Sequence, residues 1–256
     1  MIDSHCHLDF PAFDLDRDQV LLKCAQLGVN SIVIPGTQAS MWPRQILLCE
    51  SYSQLKFALG LHPYFLHNYR PEQLQLLDQQ LSLHQGKVVA VGEIGLDFSL
   101  PTDEVLQERV FSEQLDLAHQ HRLPVIVHHR QSHNALIRLL KKSTFCNGGI
   151  IHAFSGSLQE ARAYIDLGFK LGIGGTITYP RAKKTRAVIA QVPLSSLVLE
   201  TDAPDMPINS KQGERNSPSY LPLILDALQA LRTEPENDVK QACWQNTLNI
   251  LPNISN

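Results

Sequence analysis

The sequence predicts a (β/α)8 TIM barrel, an α/β fold, as a single domain covering residues 1–256. Short, continuous apolar runs rich in β-branched residues recur along the chain, as is typical of parallel strands covered on both faces. Segments with helical periodicity separate these runs, and each strand–helix unit takes about 25–30 residues, which matches the ~250-residue size of such a barrel. An open doubly wound sheet is the alternative, and the regular count of units favours the barrel.

Eight apolar runs are predicted to form the strands. They are, in chain order, Ile2 to Cys6, Ser31 to Ile34, Phe57 to Leu61, Val88 to Gly92, Pro124 to Val127, Gly149 to Ala153, Phe169 to Ile173 and Leu197 to Glu200. Among the helices, the segment from Asp103 to His121 carries its apolar residues on one stripe. Ser157 and Glu160 have the spacing of a capping box that starts another helix, and Gly168 suits its C-terminal cap. A last helix is predicted over residues 238–250.

Composition and charge narrow the class of protein. A hydrophobic fraction of 43% and a charged fraction of 18% are those of ordinary globular proteins. The formal net charge of −3 argues against a broad basic face for nucleic acid, and leaves a local patch or a bound metal to hold a phosphate. The five cysteines form no CxxC pair, so neither a disulfide framework nor a thiolate zinc site is expected. Without an apolar membrane-spanning stretch or a secretory signal, we expect a cytoplasmic protein with no membrane partner.

Histidines and carboxylates are concentrated at the carboxyl ends of the predicted strands, where a barrel of this kind places its active site. Six of the eleven histidines lie there. Because side chains alternate along a strand, His5 and His7 point to the same side and Cys6 points to the other. A His-x-His pair alone is more often structural. The ends of other predicted strands also carry polar residues, however, and this favours a metal site. These polar residues are His62, Glu93, His128, His129, Arg130, His152, Glu200, Thr201 and Asp202.

Six of these side chains would supply imidazole and carboxylate ligands around one mouth of the barrel. They are His5, His7, Glu93, His128, His152 and Asp202. Such a set of nitrogen and oxygen donors suits Zn²⁺, Mn²⁺, Fe²⁺ or Co²⁺. A non-catalytic barrel with structural metals is a weaker alternative, because structural zinc sites favour closed tetrahedral Cys/His sets.

The sequence motifs around these residues resemble those of the TatD family of metal-dependent deoxyribonucleases, which have an amidohydrolase-type metal barrel. The motifs are Ser4 to Asp9, Gly60 to Pro63, Gly92 to Asp97, Pro124 to His128, His152 to Ser157, Glu200 to Pro204 and Arg215-Asn216. The resemblance runs from residue 2 to about residue 246. One departure follows His128, where the family commonly has a small residue, an arginine and an acid, and this chain has His129, Arg130 and Gln131.

The resemblance implies two divalent cations per chain, drawn from Zn, Mn, Mg, Fe and Co. By analogy, their ligands are His5, His7 and Asp202 for one ion, His128 and His152 for the other, and Glu93 as a bridge between them. Two dications ~3.5–4 Å apart repel strongly without an anion between them, which independently favours a bridging carboxylate. The mechanism expected is attack by a metal-activated water, with Asp202 as the general base and Glu93 in the catalytic centre.

Substrate contacts are predicted at two strand ends and in one loop. His62 and Arg130 lie where a phosphate oxygen is within reach, and Arg215 follows strand eight. Arginine is suited to bidentate phosphate contacts. A salt bridge that fixes the loop is the alternative for Arg215, and a conformational role before Pro63 is the alternative for His62.

Two further groups lie in loops near the expected mouth. A basic cluster after strand seven is either a solvated face or a contact for nucleic acid, and it consists of Arg181, Lys183, Lys184 and Arg186. Four aromatic residues either stack on unpaired bases or pack in the core, and they are Trp42, Tyr64, Phe65 and Tyr69.

The leading functional hypothesis is a monomeric phosphodiesterase that acts on DNA or a nucleotide-like phosphodiester, with single-stranded ends favoured by a narrow mouth. A second hypothesis keeps the metals and changes the bond: an amidohydrolase or esterase that acts on a small metabolite. The acidic net charge and the modest basic cluster leave both open.

Overall fold

A computed structural model describes residues 1–255, and these form an eight-stranded barrel with helices between the strands. Every sequential pair of strands is parallel, and the strand order follows the chain. The strands are β1 (Ile2–Asp3), β2 (Ser31–Ile34), β3 (Leu55–Leu59), β4 (Val88–Asp97), β5 (Val125–Arg130), β6 (Gly149–Ile151), β7 (Phe169–Ile173) and β8 (Leu197–Leu199). Backbone hydrogen bonds from Ser4 N–H to the Leu199 carbonyl and from Asp202 N–H to the His5 carbonyl draw the last strand towards the first. The predicted fold class is confirmed.

The helices that separate the strands include those expected from periodicity and caps. The Asp103 side chain accepts hydrogen bonds from the first turn of its helix, and Ser157 and Glu160 form the expected capping box. Gly168 follows that helix with a φ of 85°, a left-handed conformation that glycine adopts without strain. The helices are α1 (Arg17–Gln26), α2 (Trp42–Ser51), α3 (Glu72–Leu83), α4 (Glu104–Gln120), α5 (His133–Lys142), α6 (Leu158–Asp166), α7 (Lys183–Gln191), α8 (Leu221–Gln229) and α9 (Glu236–Ile250).

Several strand ends differ from the sequence prediction. β1 stops at Asp3 because the next residues bond alternately to both neighbours: Cys6 N–H donates to Val33, and His7 N–H donates to Ala203. β4 and β5 instead run further, since they stay paired up to Asp97 and Arg130. Two long central strands therefore carry their side chains deep into the carboxyl end of the barrel.

Packing closes the opposite, amino end of the barrel. A compact cluster of buried strand residues packs there against residues 250–254, and includes Ile2, Val33, Val89, Ile126, Ile150 and Val198. Leu251 and Ile254 cover this cluster, and the Asn253 amide donates to the Val88 carbonyl at 2.8 Å. The carboxyl end is consequently the end left to hold a polar site.

The five cysteines form no disulfide, as the sequence predicts. Cys6 is buried and its thiol faces the Ala203 carbonyl at 3.6 Å, on the side away from His5 and His7. Within residues 1–255, none of the helices has both the length and the apolar character needed to cross a bilayer.

Candidate metal centre

Six side chains from the carboxyl ends of the strands converge around one carboxylate, Glu93, which lies in β4 and is only 2% exposed. Its Oε2 atom lies 3.2 Å from Nε2 of His5 and 3.7 Å from Nε2 of His7. Its Oε1 atom faces three other imidazoles at 3.1 to 3.2 Å, those of His62, His128 and His152. The two oxygens of a single buried carboxylate thus serve two separate groups of nitrogens.

The first group has the spacing of ligands around one cation. Nε2 of His5 and Nε2 of His7 are 3.3 Å apart, and Oδ1 of Asp202 lies 3.5 and 3.7 Å from them. Atoms bound to a common ion at about 2.1 Å lie about 3.0 to 3.4 Å from one another at octahedral and tetrahedral angles. The observed separations agree with these values within a few tenths of an ångström, so the residues fit a cation.

The second group consists of imidazoles around Oε1 of Glu93. Nδ1 of His128 and Nε2 of His152 lie 3.1 and 3.2 Å from this oxygen. His152 stacks on His5 with ring centroids 3.8 Å apart, which holds the two groups side by side. These two imidazoles could hold a second cation at Oε1 of Glu93.

His62 has a hydrogen-bond pattern that sets it apart from the other imidazoles. The backbone N–H of Tyr64 donates to Nδ1 of His62 at 3.1 Å. A neutral imidazole that accepts at one nitrogen carries its proton on the other, so Nε2 of His62 is a donor rather than a lone pair for a metal. His62 therefore suits a contact to a substrate oxygen better than metal ligation.

Two carboxylates lie behind two of the candidate ligand imidazoles. Oε1 of Glu200 lies 3.6 Å from Nδ1 of His152 and accepts a hydrogen bond from the Ala153 N–H at 2.5 Å. Oδ2 of Asp97 lies 3.4 Å from Nε2 of His128. Such partners fix the ring orientation and basicity of metal-bound histidines. The sequence analysis assigned no role to Glu200 or Asp97, although both lie within the motifs that resemble the family.

Asp3 fixes one half of the centre and was also missed from the sequence. Its carboxylate accepts from the Thr201 hydroxyl at 2.6 Å, from the Thr201 N–H at 3.0 Å and from the His5 N–H at 3.2 Å. Burial raises the pKa of Asp3 to about 8, against the effect of these hydrogen bonds. Asp3 thereby ties the chain after β1 to the chain after β8 and places His5 beside Asp202.

Burial and neighbouring charges shift the pKa values throughout the centre. Burial lowers the pKa of His5 to about 4 and holds that of His7 well below its usual range, so both rings keep free lone pairs at neutral pH. Burial alone would raise the pKa of Glu93, but the surrounding imidazoles outweigh it and hold the pKa well below its usual range. Burial raises the pKa of Asp202 to about 7. At His5 and His7, neutral imidazoles beside an ionised Glu93 are in the donor state that a cation requires, whereas the pKa of His152 is raised by Glu93 and Asp202, so this ring would release a proton to bind one.

The backbone at the end of β8 brings Asp202 to the centre in an unusual conformation. Its φ is 57°, in the left-handed region that aspartate tolerates better than most residues. The Asp205 N–H donates to the Asp202 carbonyl at 3.0 Å and closes this turn. The Asp202 side chain is 14% exposed and lines the cavity above the centre.

The centre opens into a cavity of about 590 Å³. Phe10, Tyr64 and Phe65 are among the residues that line it, together with Arg130 and Ser155. Phe10 stacks on His7, with ring centroids 4.6 Å apart. The cavity combines aromatic side chains, a cationic side chain and the cluster of candidate ligands.

The two arginines predicted to contact the substrate have different surroundings in the structure. Arg130 lines the cavity, whereas Arg215 pairs with both carboxylate oxygens of Asp16 at 2.8 and 2.6 Å. Arg215 also donates to the Ala12 carbonyl and lies 4.5 Å from the ring centroid of Phe13. Its guanidinium thus fixes the loop after β8 against residues 12–16, and the structure favours this salt-bridge role over a contact to substrate.

Some of the aromatic and basic loop residues are held by contacts within the protein, and others are exposed. Trp42 is buried and its indole N–H donates to the Gly60 carbonyl at 3.2 Å, and Tyr69 packs against the core, so neither is free to stack on a base. In the basic cluster, Arg186 donates to the Ile177 carbonyl and Arg181 stacks on Tyr179. Lys183 and Lys184 are exposed.

His129, one of the departures from the family pattern, lies in the wall of the cavity. Its ring packs 4.2 Å from that of His133, between centroids, and its buried Nε2 has no hydrogen-bond partner within residues 1–255. The nearby Tyr164 hydroxyl is 3.1 Å from Nδ1 of His133. The histidine pair is packed beside the centre rather than directed at Glu93.

Comparison with known proteins agrees with the geometry. The family model described as TatD related DNase matches residues 2–252. An uncharacterized metal-dependent hydrolase of Escherichia coli, YjjV, is 48% identical over 96% of this chain and 95% of its own length. A protein of Edwardsiella piscicida named 3′-5′ ssDNA/RNA exonuclease TatD is 33% identical over 96% of this chain and 97% of its own length.

Solved structures show the same barrel. The crystal structure of YjjV, described as a TatD homologue, superposes with a TM-score of 0.95 at 46% identity and covers 98% of both chains. A TatD family hydrolase from Entamoeba histolytica has a TM-score of 0.89 at 22% identity, over 98% of this chain and 97% of that one, which shows the shared fold alone. With the family model spanning almost all of its length, this chain belongs to the TatD family and is a metal-dependent hydrolase.

Proposed function

We propose that this protein hydrolyses phosphodiester bonds of DNA, with single-stranded ends as the favoured substrate. The observation that carries the proposal is the placement of Glu93, whose two oxygens face two different groups of imidazoles at the base of an open cavity. Centres with two cations about 3.5–4 Å apart recur in phosphatases and nucleases, where they clamp the attacking and leaving oxygens of a phosphoryl transfer. The name of the Edwardsiella piscicida relative supports the same class of substrate.

The proposed ligand assignment follows the distances. One cation would be held by His5, His7, Asp202 and Oε2 of Glu93, and the other by His128, His152 and Oε1 of Glu93. Bound there, the two cations would supply Lewis acidity that lowers the pKa of a water and neutralises charge on phosphoryl oxygens. Nitrogen and oxygen donors of this kind accept Zn²⁺, Mn²⁺, Fe²⁺ or Co²⁺, with Mg²⁺ as a further candidate.

The protein's own side chains perform the remaining steps of the proposed reaction. Asp202 lies at the floor of the cavity and accepts the proton of the attacking water through Oδ2 or Oδ1. Nε2–H of His62 donates to a phosphoryl oxygen, in the orientation that the Tyr64 N–H sets. Arg130 binds a further phosphate oxygen from the rim, where arginine offers two parallel donors. Arg215 is left out of this set because it is paired with Asp16.

The decisive experiment strips the protein of metal, restores Zn²⁺, Mn²⁺, Mg²⁺, Fe²⁺ or Co²⁺ singly, and measures cleavage of labelled single-stranded DNA. Duplex DNA, RNA and a panel of amides and lactones are assayed in parallel. Metal-dependent cleavage of the single strand, lost in Asp202→Asn with metal still bound, is the expected result. Turnover confined to the amides or lactones would replace the proposal by the small-metabolite hydrolase. Cytoplasmic location and the monomeric state stay predictions.

A further inference from the structure

Two aromatic side chains form an exposed surface in the lining of the cavity, here called the ledge. The proposed reaction assigns them no role. The ledge consists of Tyr64 and Phe65, in the short 3-10 helix Pro63–Asn68 that follows β3. Tyr64 is 58% exposed, although it lines the cavity. The two rings meet edge to face with centroids 5.0 Å apart, so Phe65 supports Tyr64 from the side. An exposed ring held in a concave site offers a flat surface for a ligand.

The ledge is tied directly to the centre. The same Tyr64 N–H that orients His62 fixes the backbone of the ledge, and the Phe65 ring lies 6.3 Å from the imidazole of His62. Nε2 of His62 is in turn 3.2 Å from Oε1 of Glu93. Two residues of chain span at most about 7 Å, so the ledge begins within one nucleotide's length of the group that would contact the phosphate.

A positively charged side chain in the same cavity indicates which class of ligand could bind there. Arg130 is exposed at the cavity, and within residues 1–255 its guanidinium forms no ion pair, so it is free for an anion. A ligand that satisfies both features carries a flat ring and a phosphate a short distance apart. An unpaired nucleotide has these two groups, whereas an aliphatic amide or lactone offers no ring for the ledge. A base inside a duplex has its faces covered by neighbouring base pairs.

We propose that the Tyr64–Phe65 ledge is the stacking subsite for the unpaired nucleobase next to the scissile phosphodiester. This inference rests on the proposed function and adds a specificity-determining residue to it. Because every base has a π face, the ledge selects single-stranded over paired substrate and is tolerant of base identity. Phe65 acts as the support and Tyr64 as the contact surface.

The test compares two single strands of equal length: an ordinary oligodeoxynucleotide, and a strand of tetrahydrofuran units that has the phosphodiesters and no bases. Tyr64→Leu is expected to raise KM for the base-bearing strand by roughly 5- to 150-fold, as for other stacking aromatics. Its KM for the base-free strand, and kcat for both, should stay within about twofold of the wild type. Tyr64→Phe keeps the ring and should retain the wild-type KM on both strands.

Trp244→Leu is the matched control, since it removes an exposed ring from the outer face of α9, and it should leave both KM values unchanged. A binding readout is independent of turnover: in the Asp202→Asn background, a strand containing 2-aminopurine should lose its fluorescence on binding, and Tyr64→Leu should abolish that quenching. Thermal unfolding verifies that each variant is folded.

An unchanged KM in Tyr64→Leu, or equal increases for both strands, overturns the stacking subsite while leaving the nuclease intact. If the metal-loaded wild type cleaves neither strand, the proposed function fails and the subsite fails with it. The two failures are therefore distinguishable by the activity of the wild type alone.

Discussion

Oε1 of Glu200 lies 3.6 Å from Nδ1 of His152 while it accepts the N–H of Ala153, the residue that follows this histidine. One buried carboxylate thus faces both the ring and the backbone at the end of β6. Nε2 of the same ring is directed at Glu93, so the Glu200 carboxylate stands behind the ring that would present its lone pair to a cation. With a cation bound at Nε2, the order Glu200, His152, cation would be the carboxylate–histidine–metal arrangement that raises ligand basicity.

We expect Glu200→Gln to weaken the second cation site by about 10- to 100-fold, the usual effect of losing such a partner. The amide keeps the volume and can still accept the Ala153 N–H, so the charge is the main difference. Calorimetric titration of the metal-free protein measures the two sites, and the site built on His5 and His7 should be little changed. Glu214→Gln, at an exposed position, is the control. Unchanged affinity at both sites in Glu200→Gln would contradict this role.

Gly172 in β7 is required by the same carboxylate. A Cβ atom there would lie 2.1 Å from Oε2 of Glu200. Gly172→Ala must therefore push the buried carboxylate aside, and we expect a loss of about 1–3 kcal/mol in the free energy of unfolding, together with weaker cation binding. Gly174→Ala is the matched control, because its Cβ would meet nothing closer than 3.6 Å and its φ of −112° suits alanine. Denaturant unfolding and metal titration of both variants test the difference, and equal stability of the two would contradict it.

The sequence predicted the barrel and the convergence around Glu93 because both follow from local patterns. Continuous apolar runs specify parallel strands, and parallel strands of a barrel bring their carboxyl ends together whatever lies between them. His5, Glu93 and Asp202 needed no further information to be placed in one centre. Their role as ligands stays a proposal, whereas their proximity is a property of the fold.

The sequence could not distinguish Arg130 from Arg215, because the partner that decides the matter is remote. Asp16 lies 199 positions before Arg215, and no local pattern announces such a pair. The roles of Asp3 and Glu200 were missed for the same reason, since each acts through contacts between strands that are distant in sequence. Strand ends were displaced where hydrogen bonds beyond the strand alternate between neighbours, as they do after Asp3.

The two arginines should respond differently to the same substitution. Arg130→Ala is expected to lower kcat/KM on single-stranded DNA by roughly 10- to 150-fold, the effect of losing a hydrogen bond to a charged group. Arg215→Ala should leave kcat/KM within about twofold and lower stability by about 1 kcal/mol or less, since its pair with Asp16 is partly exposed. Steady-state kinetics and thermal unfolding of both variants provide the measurement. A large loss of kcat/KM in Arg215→Ala would restore it as a substrate contact.

Cation binding should strengthen as the pH rises through neutrality. Burial raises the pKa of Asp202 to about 7, so below that pH the metal-free carboxyl holds a proton that a cation has to displace. The pKa of His152 is also raised: burial lowers it, but Glu93 and Asp202 outweigh burial. Each displaced proton makes the apparent affinity about tenfold weaker per pH unit of acidification.

Calorimetry between pH 6 and 8, in buffers of different ionisation enthalpy, reports both the affinity and the number of protons released. We expect at least one proton per bound cation near pH 6 and fewer near pH 8. Asp202→Asn removes one titrating group and should flatten the pH dependence as well as weaken binding. A pH-independent affinity in the wild type would show that the ligands are already deprotonated throughout this range.

Removal of the metals should abolish activity and leave the barrel folded. The apolar core lies around and below the centre: the buried cluster at the amino end packs against Leu251 and Ile254 and includes no candidate ligand. Binding adds to stability only through mass action, by about 2.7 kcal/mol for each site at 100 times its Kd. For a chain of this size that corresponds to a fall in Tm of roughly 5–11 °C per site on chelation.

Circular dichroism and calorimetric unfolding with and without EDTA separate this expectation from a structural role of the metals. A far-UV spectrum that is unchanged at 25 °C, with a lower Tm that recovers on addition of metal, agrees with a functional centre carried by an independently stable barrel. Cooperative unfolding at room temperature on chelation alone would mean that the cations hold the fold, as they do in small zinc domains. In that case Glu93 would act first as a structural ligand, and the catalytic assignment of Asp202 would have to rest on kinetics alone.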